Sequence, residues 1–138
     1  MIYPQTVAKN IKNHIAEIAD NGCLAMCYAY CVGLEGDALS YIELVSRAID
    51  SKVLAKDCTV ESAELYLKHL TGRNFQVLKK DITDISKIKE RTPVKYEYGN
   101  LGHWVVVENG KIVFNSVLNS LCVSKGRPVS ARIMKMIL

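Results

Sequence analysis

No stretch of this 138-residue chain is apolar for long enough to cross a membrane. The longest nearly uncharged run extends from Cys23 to Leu34, about a dozen residues, whereas a spanning helix needs about 20, so the run predicts a buried core helix. The first turns of the chain mix charged with apolar residues and lack the continuous apolar core of a secretory signal. We therefore expect a cytoplasmic protein with no membrane partner.

The chain also lacks the composition of a disordered or repetitive protein. Hydrophobic residues make up 49% and charged residues 23%, values that are typical of folded domains. No internal repeat, linker or low-complexity segment divides the sequence, and its length suits one hydrophobic core. A single domain that spans residues 1–138 is predicted.

The basic residues do not form a patch. The net charge is only +4, and lysines and arginines are scattered along the chain without interleaved aromatic residues. A nucleic-acid-binding surface needs such residues to be clustered. We therefore expect no nucleic-acid partner, while the sequence leaves the oligomeric state open.

The five cysteines are an odd number, which does not suit a framework of paired disulfides. Cys23, Cys27 and Cys31 recur four residues apart, and cysteines at this helical spacing rarely bridge because their side chains project in nearly the same direction. We expect all five to be reduced. A cysteine-rich metal-binding protein is an alternative, although zinc sites more often take their ligands from tight turns.

Hydrophobic periodicity changes at Gly72 from helical spacing to strand-like alternation. Helices are predicted at about residues 6–19, 23–32, 40–49 and 60–70, and a short one at 84–90. Strands are predicted at 75–78, 94–98, 103–108, 111–115 and 129–134, with a loop at 116–128. Helices followed by antiparallel strands indicate an α+β fold, with N-terminal helices packed on a C-terminal antiparallel sheet.

Three helix boundaries have local signals. Asn21 and Gly22 predict a break between the first two helices, suited to a left-handed turn. The third helix begins with the capping-box pattern of Ser40 to Glu43. Gly72 is predicted to end the fourth helix, because glycine readily adopts the left-handed conformation at a helix C-terminus.

Asn109 and Gly110 give the strongest local signal, that of a two-residue β-hairpin turn. If they are the turn, Glu108 pairs with Lys111, and a regular register brings Asn115 next to Trp104, one residue from His103. Asn115 is then expected to orient the His103 imidazole. Trp104, beside this base, is a candidate wall of a substrate groove.

Cys23 differs from the other cysteines of its segment because it opens the predicted helix. A thiol at a helix N-terminus lies near unpaired backbone amides, which lower its pKa and favour the nucleophilic thiolate. Cys27 and Cys31, inside the helix, lack this advantage. Cys23 and His103, with Asn115 as the third group, therefore fit the logic of a Cys-His-Asn catalytic site.

Three motifs carry a family resemblance: NGCLAMCYAY at the buried helix, GHWVVV at the start of a strand, and FNS at the end of the next strand. With these motifs the chain resembles the papain-like superfamily of cysteine peptidases and amidases, particularly its small bacterial branches, the bacteriocin-processing and NlpC-type peptidases. The resemblance spans Cys23 to Ser116. It implies a papain-like fold, with Cys23 as nucleophile, His103 as general base and Asn115 as the residue that orients the base.

The chain departs from the family at one position. Papain-like enzymes have a glutamine shortly before the cysteine that helps to stabilise the oxyanion, and this stretch has none. Asn21 is the candidate to donate in its place, beside the backbone N–H of Cys23. The predicted function is a thiol hydrolase that cleaves a peptide, isopeptide or amide bond of a peptide or protein substrate, without a cofactor. An inactive papain-like binding module is the alternative that the missing glutamine favours.

Overall fold

The computed structural model describes residues 4–34 and 36–138, with side chains from residue 11 onward. Four helices come first: α1 (Pro4–Asn21), α2 (Cys23–Cys31), α3 (Ala38–Asp50) and α4 (Ala63–Thr71). Strands follow: β1 (Asn74–Asp81), β2 (Thr92–Tyr98), β3 (Leu101–Glu108), β4 (Lys111–Phe114) and, after helix α5 (Leu121–Lys125), β5 (Arg127–Ile137). The predicted α+β arrangement, helices first and an antiparallel sheet after them, is confirmed.

The five strands form one sheet in the order β1-β5-β2-β3-β4, and all neighbours are antiparallel. The last strand therefore lies between β1 and β2, and β1 and β4 are the edges. The short β4 pairs with only the last residues of β3. The first half of β3, where His103 lies, pairs with β2 alone.

Helix α2 is buried because it is apolar nearly all round. Ala25, Tyr28 and Ala29 are buried, and the hydroxyl of Tyr66 on α4 donates to the Ala25 carbonyl at 2.9 Å. Helix α2 also lies against β3. Within the described ranges, no helix combines the length and the apolarity that crossing a bilayer requires. The helix is thus fixed between the other helices and the sheet.

The described side chains form two core clusters. One lies among the helices and includes Val45, Leu67 and, from the sheet, Phe75 and Val77. The other contains Val105 and Val107 of β3 together with Cys122 of α5. Helix α5 falls inside the segment 116–128, which the sequence pattern predicted to be a loop, so that prediction is wrong for these residues. Helix α5 has only five residues, too few to be stable by local propensity alone. The burial of Cys122 in the second core cluster supports it instead.

Side chains explain two further differences from the sequence pattern. Helix α3 is capped by Asp37, which accepts from the Ser40 N–H at 2.8 Å, so the expected capping box at Ser40 is wrong. The expected helix at 84–90 is absent because Asp84 accepts from the Ser86 N–H at 2.9 Å and from its hydroxyl at 2.6 Å. This local turn competes with helix formation. Gly72 ends α4 at φ +73°, as predicted.

Candidate active site

Helix α1 leads almost directly into α2, with Gly22 between them. Gly22 has φ −81° and ψ −6°, which is right-handed helical geometry, so the expected left-handed turn is wrong. Its N–H donates to the Ile18 carbonyl at 2.9 Å, and its own carbonyl accepts from Met26 at 3.0 Å. Glycine is required here for close approach, because a Cβ would lie 2.5 Å from the Ile18 oxygen. This junction positions Cys23 as the first residue of α2.

Cys23 faces the start of β3. Its half-buried thiol interacts with the His103 side chain, and the nearby backbone amides of Trp104 and Leu24 also favour its thiolate form. His103 is buried, with 7% of its surface exposed, and is held in a strand that pairs along its length with β2. The packing of α2 on β3 therefore brings together two residues that are 80 positions apart.

Asn115 lies on the other side of the imidazole. Nε2 of His103 and Oδ1 of Asn115 are 2.7 Å apart. Because Nε2 is engaged with Asn115, Nδ1 is the ring nitrogen left for Cys23. The three predicted site residues thus form one chain of contacts, with His103 in the middle.

The hairpin reaches this arrangement by a register that differs from the predicted one. Val107 pairs with Ile112 but Val106 pairs with Phe114, so Val113 is an extra residue in a β-bulge. Without the bulge, Asn115 would lie opposite Trp104. The side chains of Trp104 and His103 project from opposite faces of β3, because the two residues are neighbours in the strand. With the bulge, the side chain of Asn115 projects from the same side of the hairpin as that of His103. The predicted partnership is present, but the predicted register is wrong.

The electrostatics of Cys23 and His103 are coupled. Burial alone would raise the pKa of the Cys23 thiol, but the His103 hydrogen bond, the Trp104 amide and the imidazolium charge outweigh burial, and the pKa falls below its ordinary 9.0. The hydrogen bond to Cys23 raises the pKa of His103 above 6.5, against the effect of burial and with support from Asn115. Both shifts favour a thiolate-imidazolium pair.

In three other cysteines the thiol pKa is raised and not lowered. Burial raises the pKa of Cys27 well above 9.0, and it raises the pKa values of Cys31 and Cys58 to about 12. All five cysteines are free thiols. In the part of the chain that the structure describes, no three histidine, cysteine, aspartate or glutamate side chains come together as a metal site would require. The Cys23, Cys27 and Cys31 series therefore does not assemble a ligand set.

A groove of about 290 Å³ opens beside Cys23. Asn21, the exposed last residue of α1, lies in its wall, as do Trp104, Gly102, Lys95 and Cys58. Asn21, the candidate oxyanion donor, and Trp104, the candidate groove wall, both line this groove. Lys95 and Cys58 were missed, since nothing in their local sequence connects them with Cys23. The Trp104 backbone amide was missed too, because its role depends on the packing of α2.

No protein-family model, curated protein or solved structure matches this chain. The function must therefore be inferred from the chemistry of the site. Its parts are a thiol with a lowered pKa, an imidazole in contact with that thiol, an amide that holds the imidazole, and an adjoining groove.

Proposed function

We propose that this protein is a thiol hydrolase, a cysteine peptidase or amidase that acts on a peptide, isopeptide or amide bond. One observation carries the proposal: His103 contacts the Cys23 thiol through one side of its ring and Asn115 through the other. A nucleophile, a base and a group that orients the base are the recurring parts of such sites. The motifs around Cys23, His103 and Asn115 also resemble those of papain-like enzymes.

The proposed reaction begins when Nδ1 of His103 takes the Cys23 proton. The thiolate attacks the substrate carbonyl carbon, and the carbonyl oxygen becomes an oxyanion. The backbone N–H of Cys23 and the side-chain amide of Asn21 are the proposed donors to this oxyanion. The imidazolium then protonates the leaving amine as the carbon-nitrogen bond breaks. Water, deprotonated by His103, hydrolyses the thioester and restores the thiol.

Selective alkylation tests the reactive thiol. The reduced protein is treated with limiting iodoacetamide near neutral pH, and each cysteine is quantified by peptide mass spectrometry. Cys31 is a matched internal control, because it lies on the same helix and is also half-buried, but burial raises its pKa to about 12. We expect modification at Cys23 to precede modification at Cys31. Equal or slower reaction at Cys23 would contradict the proposal.

Covalent capture tests hydrolysis itself. A library of peptide thioesters and peptides with a C-terminal aldehyde is incubated with the native protein and with Cys23→Ser. We expect a Cys23-dependent mass adduct and turnover of the matching amide. The absence of a glutamine before Cys23 favours a second candidate, an inactive binding module. That candidate predicts a reactive Cys23 and saturable binding of peptides, without turnover of any amide.

A further inference from the structure

The Asn115 side chain has a second hydrogen bond, from the backbone of the segment that follows β4. The N–H of Val117 donates to Oδ1 of Asn115 at 3.1 Å. The same oxygen lies 2.7 Å from Nε2 of His103. One amide oxygen is therefore shared between the backbone of an exposed segment and the ring of the candidate base.

These two contacts fix the orientation of the Asn115 amide. A side-chain amide has one end that accepts and one end that only donates, and the ends are similar in shape. A backbone N–H can only donate, so the Asn115 atom that faces Val117 must be the oxygen. Rotation of the amide by 180° would place its NH₂ group against the Val117 N–H, and two donors would then face each other.

The orientation of the amide in turn fixes the proton on His103. Because the oxygen of Asn115 only accepts, Nε2 of the neutral imidazole must carry the hydrogen. Nδ1 then has its lone pair free and is the atom left to take the Cys23 proton. If the amide rotated, its NH₂ group would donate to Nε2, and the ring hydrogen would then be on Nδ1. An N–H group would face Cys23, and Nδ1 could not take the Cys23 proton.

We propose that Val117 is a positioning residue, whose backbone N–H holds His103 in the tautomer that can accept the Cys23 proton. The catalytic consequence rests on the function proposed above, whereas the tautomer itself can be measured without any substrate. Val117 is 44% exposed, so its side chain can be changed without opening the core. Val117 acts through its backbone N–H, which any residue except proline at this position would also have.

The test compares Val117→Pro, which removes the N–H, with Val117→Ala, which keeps it. Long-range ¹H–¹⁵N spectra of the neutral His103 ring report which nitrogen is protonated. We expect the Nε2–H form in the native protein and in Val117→Ala. In Val117→Pro we expect the Nδ1–H form to appear and the alkylation of Cys23 near neutral pH to slow by about 3- to 10-fold, the range expected for one lost hydrogen bond.

A double variant separates this role from damage to the fold. Asn115→Asp has two accepting oxygens and no donor, so its orientation no longer depends on Val117. In the Asn115→Asp background, Val117→Pro should therefore leave both the Nε2–H form and the alkylation rate of the Asn115→Asp single variant unchanged. A loss of either in that background as large as the loss in the native background, or a native tautomer in Val117→Pro, would overturn the proposal. If the tautomer follows this pattern but no amide is cleaved, the positioning role stands and the hydrolase function fails.

Discussion

The two ends of α2 carry cysteines of similar exposure and opposite character. Cys23 at the first residue and Cys31 at the last are both half-buried, and burial is the largest influence on each thiol. At Cys23 a hydrogen bond from His103 and two backbone amides reverse the effect, and the pKa is lowered. At Cys31 the Arg91 charge is opposed by Glu108, and the pKa rises to about 12. The groups that contact each thiol, and not its exposure, therefore determine which of the two cysteines has a lowered pKa.

Removal of His103 should produce the largest change. In His103→Ala the Cys23 thiolate loses its hydrogen bond and its counter-charge, so the thiol pKa should rise toward or above 9.0. We expect amide hydrolysis to fall by about 10²- to 10⁴-fold, the range for a lost general base. Kinetic assays and the pH dependence of alkylation measure the two effects. The reaction of Cys31 serves as the control and should be unchanged.

The pH dependence follows from the two shifts. The pKa of Cys23 lies below 9.0, so alkylation of Cys23 should rise with pH at a lower pH than that of an ordinary cysteine. The pKa of His103 lies above 6.5, so the imidazolium that protonates the leaving group should persist past that pH and be lost at higher pH. A bell-shaped profile of kcat/KM is expected. A rate that keeps rising up to the ordinary pKa of cysteine would contradict the pairing.

A smaller effect is expected from the junction before α2. In Gly22→Ala the new methyl group would lie 2.5 Å from the backbone oxygen of Ile18, which cannot move without shifting α1. We expect the free energy of unfolding to fall by about 1–3 kcal/mol, as in other overpacked sites, and the alkylation of Cys23 to slow. Chemical denaturation and peptide mapping measure these changes.

The control for the junction is Gly36→Ala. Among the residues that the structure describes, its methyl group would meet the Ser40 side chain, at 3.1 Å, and Gly36 lies well away from the start of α2 in sequence. We expect a smaller loss of stability and a native rate of alkylation at Cys23. If the two alanine variants behave alike, close approach at Gly22 is not what positions Cys23.

The smallest effect should come from the other end of α2. Glu108 raises the pKa of Cys31 and lies 3.6 Å from the Arg91 guanidinium. In Glu108→Gln the Arg91 charge is no longer opposed, so the pKa of Cys31 should fall while burial keeps it above that of Cys23. We expect less than about a fivefold gain in alkylation at Cys31, since the charges are partly exposed. A change at Cys23 of similar size would show that the two ends are not independent.

Local sequence predicted the elements where one signal dominated. The hairpin turn has Asn109 at φ +52° and Gly110 at φ +73°, the left-handed geometry that the dipeptide favours. Gly72 ends α4 for the same reason. Predictions were wrong where a side chain or a tertiary contact competed with periodicity, as at Asp84, where a local turn replaces the helix, and at Cys122, whose burial supports α5.

The bulge at Val113 is the clearest case of a detail that pairing rules alone could not give. An exact two-residue hairpin predicts one partner for every residue, and one extra residue reverses the side on which all later side chains project. The sequence identified Asn115 as the partner of His103 by its residue type and its position near the hairpin end. Only the bulge explains how the two side chains come to face each other.

The sequence by itself determined that helices come first and antiparallel strands follow, that Asn109 and Gly110 form a hairpin turn, and that Cys23, His103 and Asn115 are candidates for chemistry. These depend on local periodicity, turn geometry and residue type, which short stretches of chain carry. The tertiary structure decided the lowered pKa of Cys23, the raised pKa of Cys31, and the contact of Val117 with Asn115. Each of these depends on burial and on distances between atoms, which exist only after the helices and the sheet have packed together.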